Sequence, residues 1–172
     1  MNLFSEKQIK LFLEETLNEA KKALKYGDYP IGSIVVNSKG EIIAKCRNEN
    51  ITEDDITAHA EILCLRKLGI KKLSKDNGSE HYLFSSLEPC GGCGFFIART
   101  NIKAIYVPCL DPYRPGVSAL MRFKDFLEIF SNIELIEGTF PELSKESLSL
   151  MGDYFLSKGR DEVAIIYDKK SL

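Results

Sequence analysis

No apolar run in this sequence approaches the ~20 residues needed to cross a bilayer as a helix, so no membrane span is expected. The opening residues Met1-Asn2-Leu3-Phe4-Ser5-Glu6-Lys7 lack a basic stretch followed by an apolar one, which argues against a secretory leader. Positive charge is not in excess: 23 Lys and Arg face 25 Asp and Glu, a net charge of -2. The global basic footprint usual for a nucleic-acid binder is therefore missing, and the doublets Lys21-Lys22 and Lys71-Lys72 read as solvated faces. Cysteine comes in an odd number, five, which does not suit a disulfide framework and points to a reducing, cytoplasmic setting. Neither repeats nor low-complexity tracts interrupt the chain.

What is present is the composition of an ordinary globular domain. At 172 residues and 44% hydrophobic, a single domain spanning 1–172 can bury a core without staples. Ser5-Glu6-Lys7-Gln8 reads as a capping box, followed by Ile9, Phe12, Leu13, Leu17, Ala20 and Leu24 at helical spacing up to Gly27. Ile31 to Val36 and Glu41 to Cys46 form a hairpin around Asn37-Ser38-Lys39-Gly40, and a polar loop carries Asn48 to Asp55. A helix is expected from Thr57, as N-cap, to Leu68, then a polar, Asn-Gly-containing connection from Lys71 to Glu80. Further on come a strand at Tyr82 to Phe84, a helix from Glu88-Pro89 to Thr100 and a strand at Ala104 to Val107. The proline-rich Asp111 to Gly116 is a loop, and a helix presents Leu120, Phe123, Phe126, Leu127 and Phe130. Ile133 to Ile136 is a strand, Pro141 to Leu156 a helix, and Val163 to Tyr167 a final strand. Strands alternating with helices after an opening hairpin make a sheet with helices on both faces.

Two short segments carry chemistry: His59-Ala60-Glu61 and Pro89-Cys90-Gly91-Gly92-Cys93. One imidazole and two thiols can hold a zinc ion while leaving its fourth position open, the mark of a catalytic site. Cys90 and Cys93, at i and i+3, share one helix face, and Pro89 suits the first turn, whose N-terminus favours thiolates. A thioredoxin-like redox pair is the competing reading of Cys-x-x-Cys, but it leaves His59 and Glu61 without a purpose. A four-cysteine structural site would need a second such pair, which the sequence lacks. Glu61 is a candidate proton carrier. In a regular helix its i, i+2 relation to His59 turns the two apart by about 200°, so convergence requires a metal lying off the helix end. With Thr57 as cap, a capping-box partner falls at Ala60, which leaves Glu61 out of register for that role. His81 reads as a surface residue, and Cys46, Cys64 and Cys109, among apolar neighbours, as small core residues.

His-x-Glu followed by Pro-Cys-x-x-Cys is the signature of zinc deaminases acting on nucleobases, and the chain resembles the cytidine deaminase-like superfamily. More narrowly it is similar to the branch holding guanine deaminase, fungal-type cytosine deaminase and tRNA adenosine deaminase. Pro30-Ile31-Gly32, Arg47-Asn48, Thr57 to Ile62 and Leu87 to Cys93 carry the likeness. The resemblance implies an α/β fold, a three-layer α/β/α sandwich around a five-stranded mixed sheet. It also implies one zinc per chain on His59, Cys90 and Cys93, with Glu61 shuttling protons during hydrolytic loss of ammonia. Asn48 matches the substrate-binding asparagine, and the Ala60 N–H would bind a base carbonyl or ring nitrogen. Asp111, Tyr113 and Phe155 are candidate substrate contacts, and a homodimer is expected. Leu110 to Pro115 stands where tRNA-acting members carry an Asp-Ala-Lys-Thr-Gly-like segment. Together with the acidic balance, this departure places guanine first as substrate, cytosine or a related heterocycle next, and tRNA adenosine as the alternative. A silent zinc-binding interaction module is the reading from another class, and the intact Glu61 argues against it.

Overall fold

A computed structural model describes residues 3–74 and 78–168. Helix α1 (Glu6–Tyr26) opens on the expected box: the Gln8 N–H donates to Ser5 Oγ at 3.3 Å and the Ser5 N–H to Gln8 Oε1 at 3.1 Å. It closes at Gly27, whose left-handed φ of 84° lets the N–H turn back onto the last carbonyls. Strands β1 (Gly32–Asn37) and β2 (Ile42–Arg47) form the hairpin, and α2 (Ala60–Leu73) follows the polar loop. Then come β3 (His81–Ser85), α3 (Gly91–Ile97) and β4 (Ile102–Val107). The segment expected as one helix through Phe130 is instead α4 (Val117–Leu120), a 3-10 turn (Lys124–Phe126) and α5 (Leu127–Phe130). β5 (Glu134–Glu137), α6 (Pro141–Ser157) and α7 (Asp161–Asp168) complete the chain.

The sheet has five strands in the order β2-β1-β3-β4-β5, antiparallel for the first two pairings and parallel for the last two. Period-2 alternation divides its side chains between two layers of helices. Ile34, Val36, Phe84 and Tyr106 pack with Phe12, Leu13 and Leu17 of α1, where the Phe84 and Tyr106 rings stack at 4.5 Å. Val35, Leu83 and Ile105 face Cys64 of α2 and Cys93 and Ile97 of α3. Each fully buried aliphatic side chain in these layers contributes roughly 1.5–3 kcal/mol, enough to hold a sheet covered on both sides. Gly32 permits the tight approach of α1, because a Cβ there would lie 2.1 Å from the Thr16 carbonyl oxygen.

Several boundaries and one element differ from expectation. Val163 to Tyr167 belongs to helix α7, not to a strand: its β-branched residues favour extension, but Val163, Ala164 and Tyr167 are buried at helical spacing against α6. His81 is 2% exposed, not a surface residue, because it starts a central strand and its Nδ1 lies 2.9 Å from Asn101 Oδ1. Cys64 and Cys109 are buried, and Cys46 is half-buried. Of the connection expected from Lys71 to Glu80, residues 71–73 continue α2 past the expected end at Leu68, and residues 75–77 lie outside the described residues. No helix among the described residues is long and apolar enough to cross a membrane.

Candidate active site

Two helix starts converge at one end of the sheet. His59 is the N-cap of α2 (φ -69°, ψ 144°), two residues later than the expected cap Thr57, whose N–H and hydroxyl bind Asp55 instead. Cys90 is the N-cap of α3 (φ -63°, ψ 163°) and accepts the Cys93 N–H at 3.4 Å. Pro89 therefore lies just before the cap, outside the first turn where the sequence placed it, and the helix ends at Ile97, short of Thr100. A residue in cap conformation is not subject to the 100° per-residue rotation of the helix. His59 is thereby free to face the same centre as Glu61, which removes the angular conflict between them.

The His59 Nδ1 lies 3.7 Å from Cys90 Sγ and 3.4 Å from Cys93 Sγ, and the two sulfurs are 3.4 Å apart. Ligand atoms 2.0–2.3 Å from a tetrahedral zinc stand about 3.5–3.8 Å from one another, so donor set and spacing both fit that ion. Among the described residues these three form the cluster able to hold a metal. The Cys93 thiol, followed by His59 and the Cys93 N–H, brings the Cys90 thiol down to about 4, against burial. His59 is raised, mainly by its contact with Cys90, and Cys93 is pushed up by that same shared bond and by burial. A thiol whose neighbours favour its ionised form suits a cation.

Glu61 is 2% exposed, and burial raises its carboxyl above the usual range. Ser85 Oγ donates to its Oε1 at 3.3 Å, while Oε2 lies 3.7 Å from Cys93 Sγ. One oxygen is tied and the other faces the metal ligands. With His59 as cap, the capping-box position falls on Ile62, so Glu61 remains out of that register.

A cavity of about 320 Å³ opens above this floor and is lined by His59, Glu61, Cys90, Asn48, Asp111, Tyr113 and Phe155 together. Cys93 borders the neighbouring depression instead, and Ala60 is fully buried. What Ala60 can offer is its backbone N–H, a first-turn donor without an intrahelical acceptor. Asn48 is 2% exposed and already oriented: its Oδ1 accepts the Asn50 N–H at 3.1 Å and its Nδ2 donates to Asn50 Oδ1 at 2.7 Å. One amide N–H and one carbonyl lone pair are left for a ligand.

The far wall comes from the 111–114 loop and the C-terminal helices. Asp111 Oδ1 accepts the N–H groups of Tyr113 and Arg114, at 2.8 and 3.2 Å, and the Tyr167 hydroxyl at 3.1 Å. Burial raises the Asp111 carboxyl above its ordinary value. Phe155 stacks on Tyr167 with centroids 5.7 Å apart, and Tyr113 meets Phe155 edge-on at 6.1 Å. Arg114 lies 5.4 Å over the Tyr113 ring. Glu88 joins wall to floor: one residue before Pro89, it accepts the Asp111 N–H at 3.0 Å and the Ser118 N–H at 2.7 Å. Sequence reasoning missed Tyr167, Met151 and Glu88 as pocket residues. The signal available in the sequence was the helical spacing of Val163, Ala164 and Tyr167, at i, i+1 and i+4.

Residues 6–109 match the cytidine and deoxycytidylate deaminase zinc-binding region. The tRNA-specific adenosine deaminase of Haemophilus influenzae is 30% identical over 162 residues, covering 94% of this chain and 88% of that one. A solved structure from studies of A-to-I editing by tRNA:A34 deaminases is 26% identical with a TM-score of 0.62, covering 75% of this chain and 98% of that one. Guanine deaminase from Nitrosomonas europaea shares the fold at 17% identity and a TM-score of 0.60, over 93% of this chain and 82% of that one. With the family match spanning both chemistry-bearing segments, this chain belongs to the cytidine and deoxycytidylate deaminase family of zinc-binding hydrolytic deaminases.

Proposed function

We propose that the chain converts adenosine to inosine in tRNA, releasing ammonia. The observation that carries this reading is the likeness to a tRNA-specific adenosine deaminase along nearly the whole chain, 30% identical over 94% of it. This reverses the order drawn from the sequence, where Leu110 to Pro115 and the acidic balance put guanine first. The exposed Arg114 over Tyr113, beside the cavity, supports contact with a flanking nucleotide through charge and stacking.

His59, Cys90 and Cys93 would hold the zinc. When bound, zinc supplies Lewis acidity that brings the pKa of water toward neutrality. Glu61, held by Ser85, takes up the proton that water loses and delivers it to the ring nitrogen next to the amino-bearing carbon. Water's oxygen bonds to that carbon. Glu61 then takes the proton of the newly added hydroxyl and passes it to the amine, the C–N bond breaks, and a carbonyl and ammonia remain. Asn48 offers its remaining donor and acceptor to the base edge, and Phe155 and Tyr113 close the apolar side of the cavity.

A second reading, a free base such as guanine, is favoured by Asp111, a carboxyl in the cavity wall able to accept a base N–H. Ammonia release from an anticodon stem-loop RNA and from guanine across a salt series separates the two. Turnover of the RNA, with kcat/KM falling about tenfold or more between 50 and 200 mM salt, supports tRNA. Salt-insensitive turnover of guanine alone restores the free-base reading. An inert chain that binds zinc points to the silent module.

The same proposal includes a homodimer. Ile70 and Phe96 are 74% and 60% exposed on the α2–α3 face, and they line an apolar depression of about 630 Å³ together with Leu65 and Ile62. A second copy would cover it. Sedimentation is expected to give a dimer that Phe96→Glu converts to monomer; a monomeric parent chain removes this part. Five unpaired cysteines, two of them needed as thiolates, support the cytoplasmic setting.

A further inference from the structure

Asp28 is completely buried, yet it lies outside the cavity and outside every motif discussed above. Its place is set from α1, where its N–H donates to the Ala23 carbonyl at 3.1 Å just past the Gly27 cap. From there its carboxylate organises the loop after β2. Oδ1 accepts the N–H groups of Ile51 and Thr52 at 2.7 and 3.0 Å, and Oδ2 accepts the Thr52 hydroxyl at 2.9 Å and Arg47 Nη1 at 3.1 Å. Arg47 in turn donates to the Asn48 carbonyl at 3.2 Å and lies 4.3 Å over the Tyr26 ring.

The two amides that Asp28 holds directly follow Asn50, the residue whose N–H and side chain fix both ends of the Asn48 amide. Asn50 is pinned on its far side as well, its Nδ2 donating to the Asp55 carbonyl at 2.7 Å. A continuous path thus runs from Asp28 by hydrogen bonds to the Ile51 and Thr52 amides, along the backbone to the adjoining Asn50, and by two further hydrogen bonds to Asn48 in the cavity. A buried carboxylate that loses such donors, or donors that lose it, costs far more than an exposed one. We infer that Asp28 is a positioning residue for substrate binding: it sets the orientation of the Asn48 amide from outside the pocket. The inference rests on Asn48 being a base contact.

Asp28→Asn keeps the shape but removes the charge and turns one of the two acceptors into a donor, which then faces either the loop N–H groups or the Arg47 guanidinium. On whichever substrate is turned over, anticodon stem-loop RNA or guanine, KM is expected to rise about tenfold, with kcat little changed and zinc retained. A purely structural role would lower thermal stability and the active fraction without moving KM. In an Asn48→Ala background the Asp28→Asn effect on KM should vanish, because its route is gone. Multiplying effects, or an unchanged KM in Asp28→Asn alongside a raised KM in Asn48→Ala, overturn the positioning role while leaving the base contact standing. An unchanged KM in Asn48→Ala removes the base contact and this inference with it, and so does a chain that turns over neither substrate. Should Asp28→Asn fail to fold, Thr52→Val deletes one of the same bonds and is expected to raise KM about threefold; no rise in that variant overturns the proposal.

Discussion

The floor and the far wall of the cavity are built by different rules. The floor uses residues at helix starts, His59, Glu61 and Cys90, with Cys93 beneath, and their spacing within two short segments determines the geometry. The wall is assembled from Asp111, Tyr113, Phe155 and Tyr167, which are 56 residues apart at the widest between Asp111 and Tyr167 and meet only through tertiary packing. Reaction type is therefore a local property of this chain, whereas the shape of the wall is a property of how the 111–114 loop, α6 and α7 pack. This difference explains why the family is legible in two short segments while the base to be deaminated is not.

Substitutions can break that contrast, beginning with the floor. His59→Ala, Cys90→Ala or Cys93→Ala is expected to lose zinc and bring turnover to background, checked by metal analysis alongside ammonia release. Stoichiometric zinc and full activity in Cys90→Ala would mean another ligand set. Glu61→Gln should keep zinc and lose roughly 10³–10⁴ in kcat; single-turnover rates close to the parent chain would reassign the proton role. In the wall, Tyr167→Phe removes only the hydroxyl that binds Asp111, so KM should rise about threefold to tenfold with kcat intact. A drop in kcat without a change in KM would mean that wall and floor are not separate.

The smallest effect concerns stability. Burial raises the Asp111 carboxyl, so its neutral form is favoured in the fold. That contribution is complete below the unfolded value and is lost as pH rises through the folded one. Asp111→Asn keeps the acceptor and removes the titration. Its melting temperature should exceed the parent's at pH 7, and the gain should shrink as the pH falls to about 4. A constant difference across that range would show that ionisation is not its source.

Much of this was legible because local rules and tertiary structure agree. The Ser5–Gln8 box, the Gly27 stop, the hairpin and the alternation of Ile34, Val35 and Val36 all follow from backbone chemistry acting over a few residues. The metal triad was legible for the same reason. Reading failed where distant packing decides. Val163 to Tyr167 has strand-like residues, but the sheet ends at β5 and the segment instead packs on α6. His81 has a polar approach in sequence and a buried place in the fold. The exact caps escaped as well, since Thr57 is the better capping residue by type while His59 occupies that position. Asn48 is a candidate by resemblance alone, and its hydrogen bonds to Asn50, next to the amides that Asp28 holds, are contacts that sequence spacing does not connect.

Glu88 gives the two halves a common datum. Its two oxygens locate the Asp111 and Ser118 amides relative to the backbone that leads into Cys90. A change that retunes selectivity by shifting the 111–118 loop must therefore either stretch those bonds or drag the thiolate along. On the function proposed above, drift in substrate preference is thereby channelled toward side chains that leave this loop's backbone in place, such as Tyr113, Phe155 and Tyr167. The wall is resurfaced more readily than it is moved.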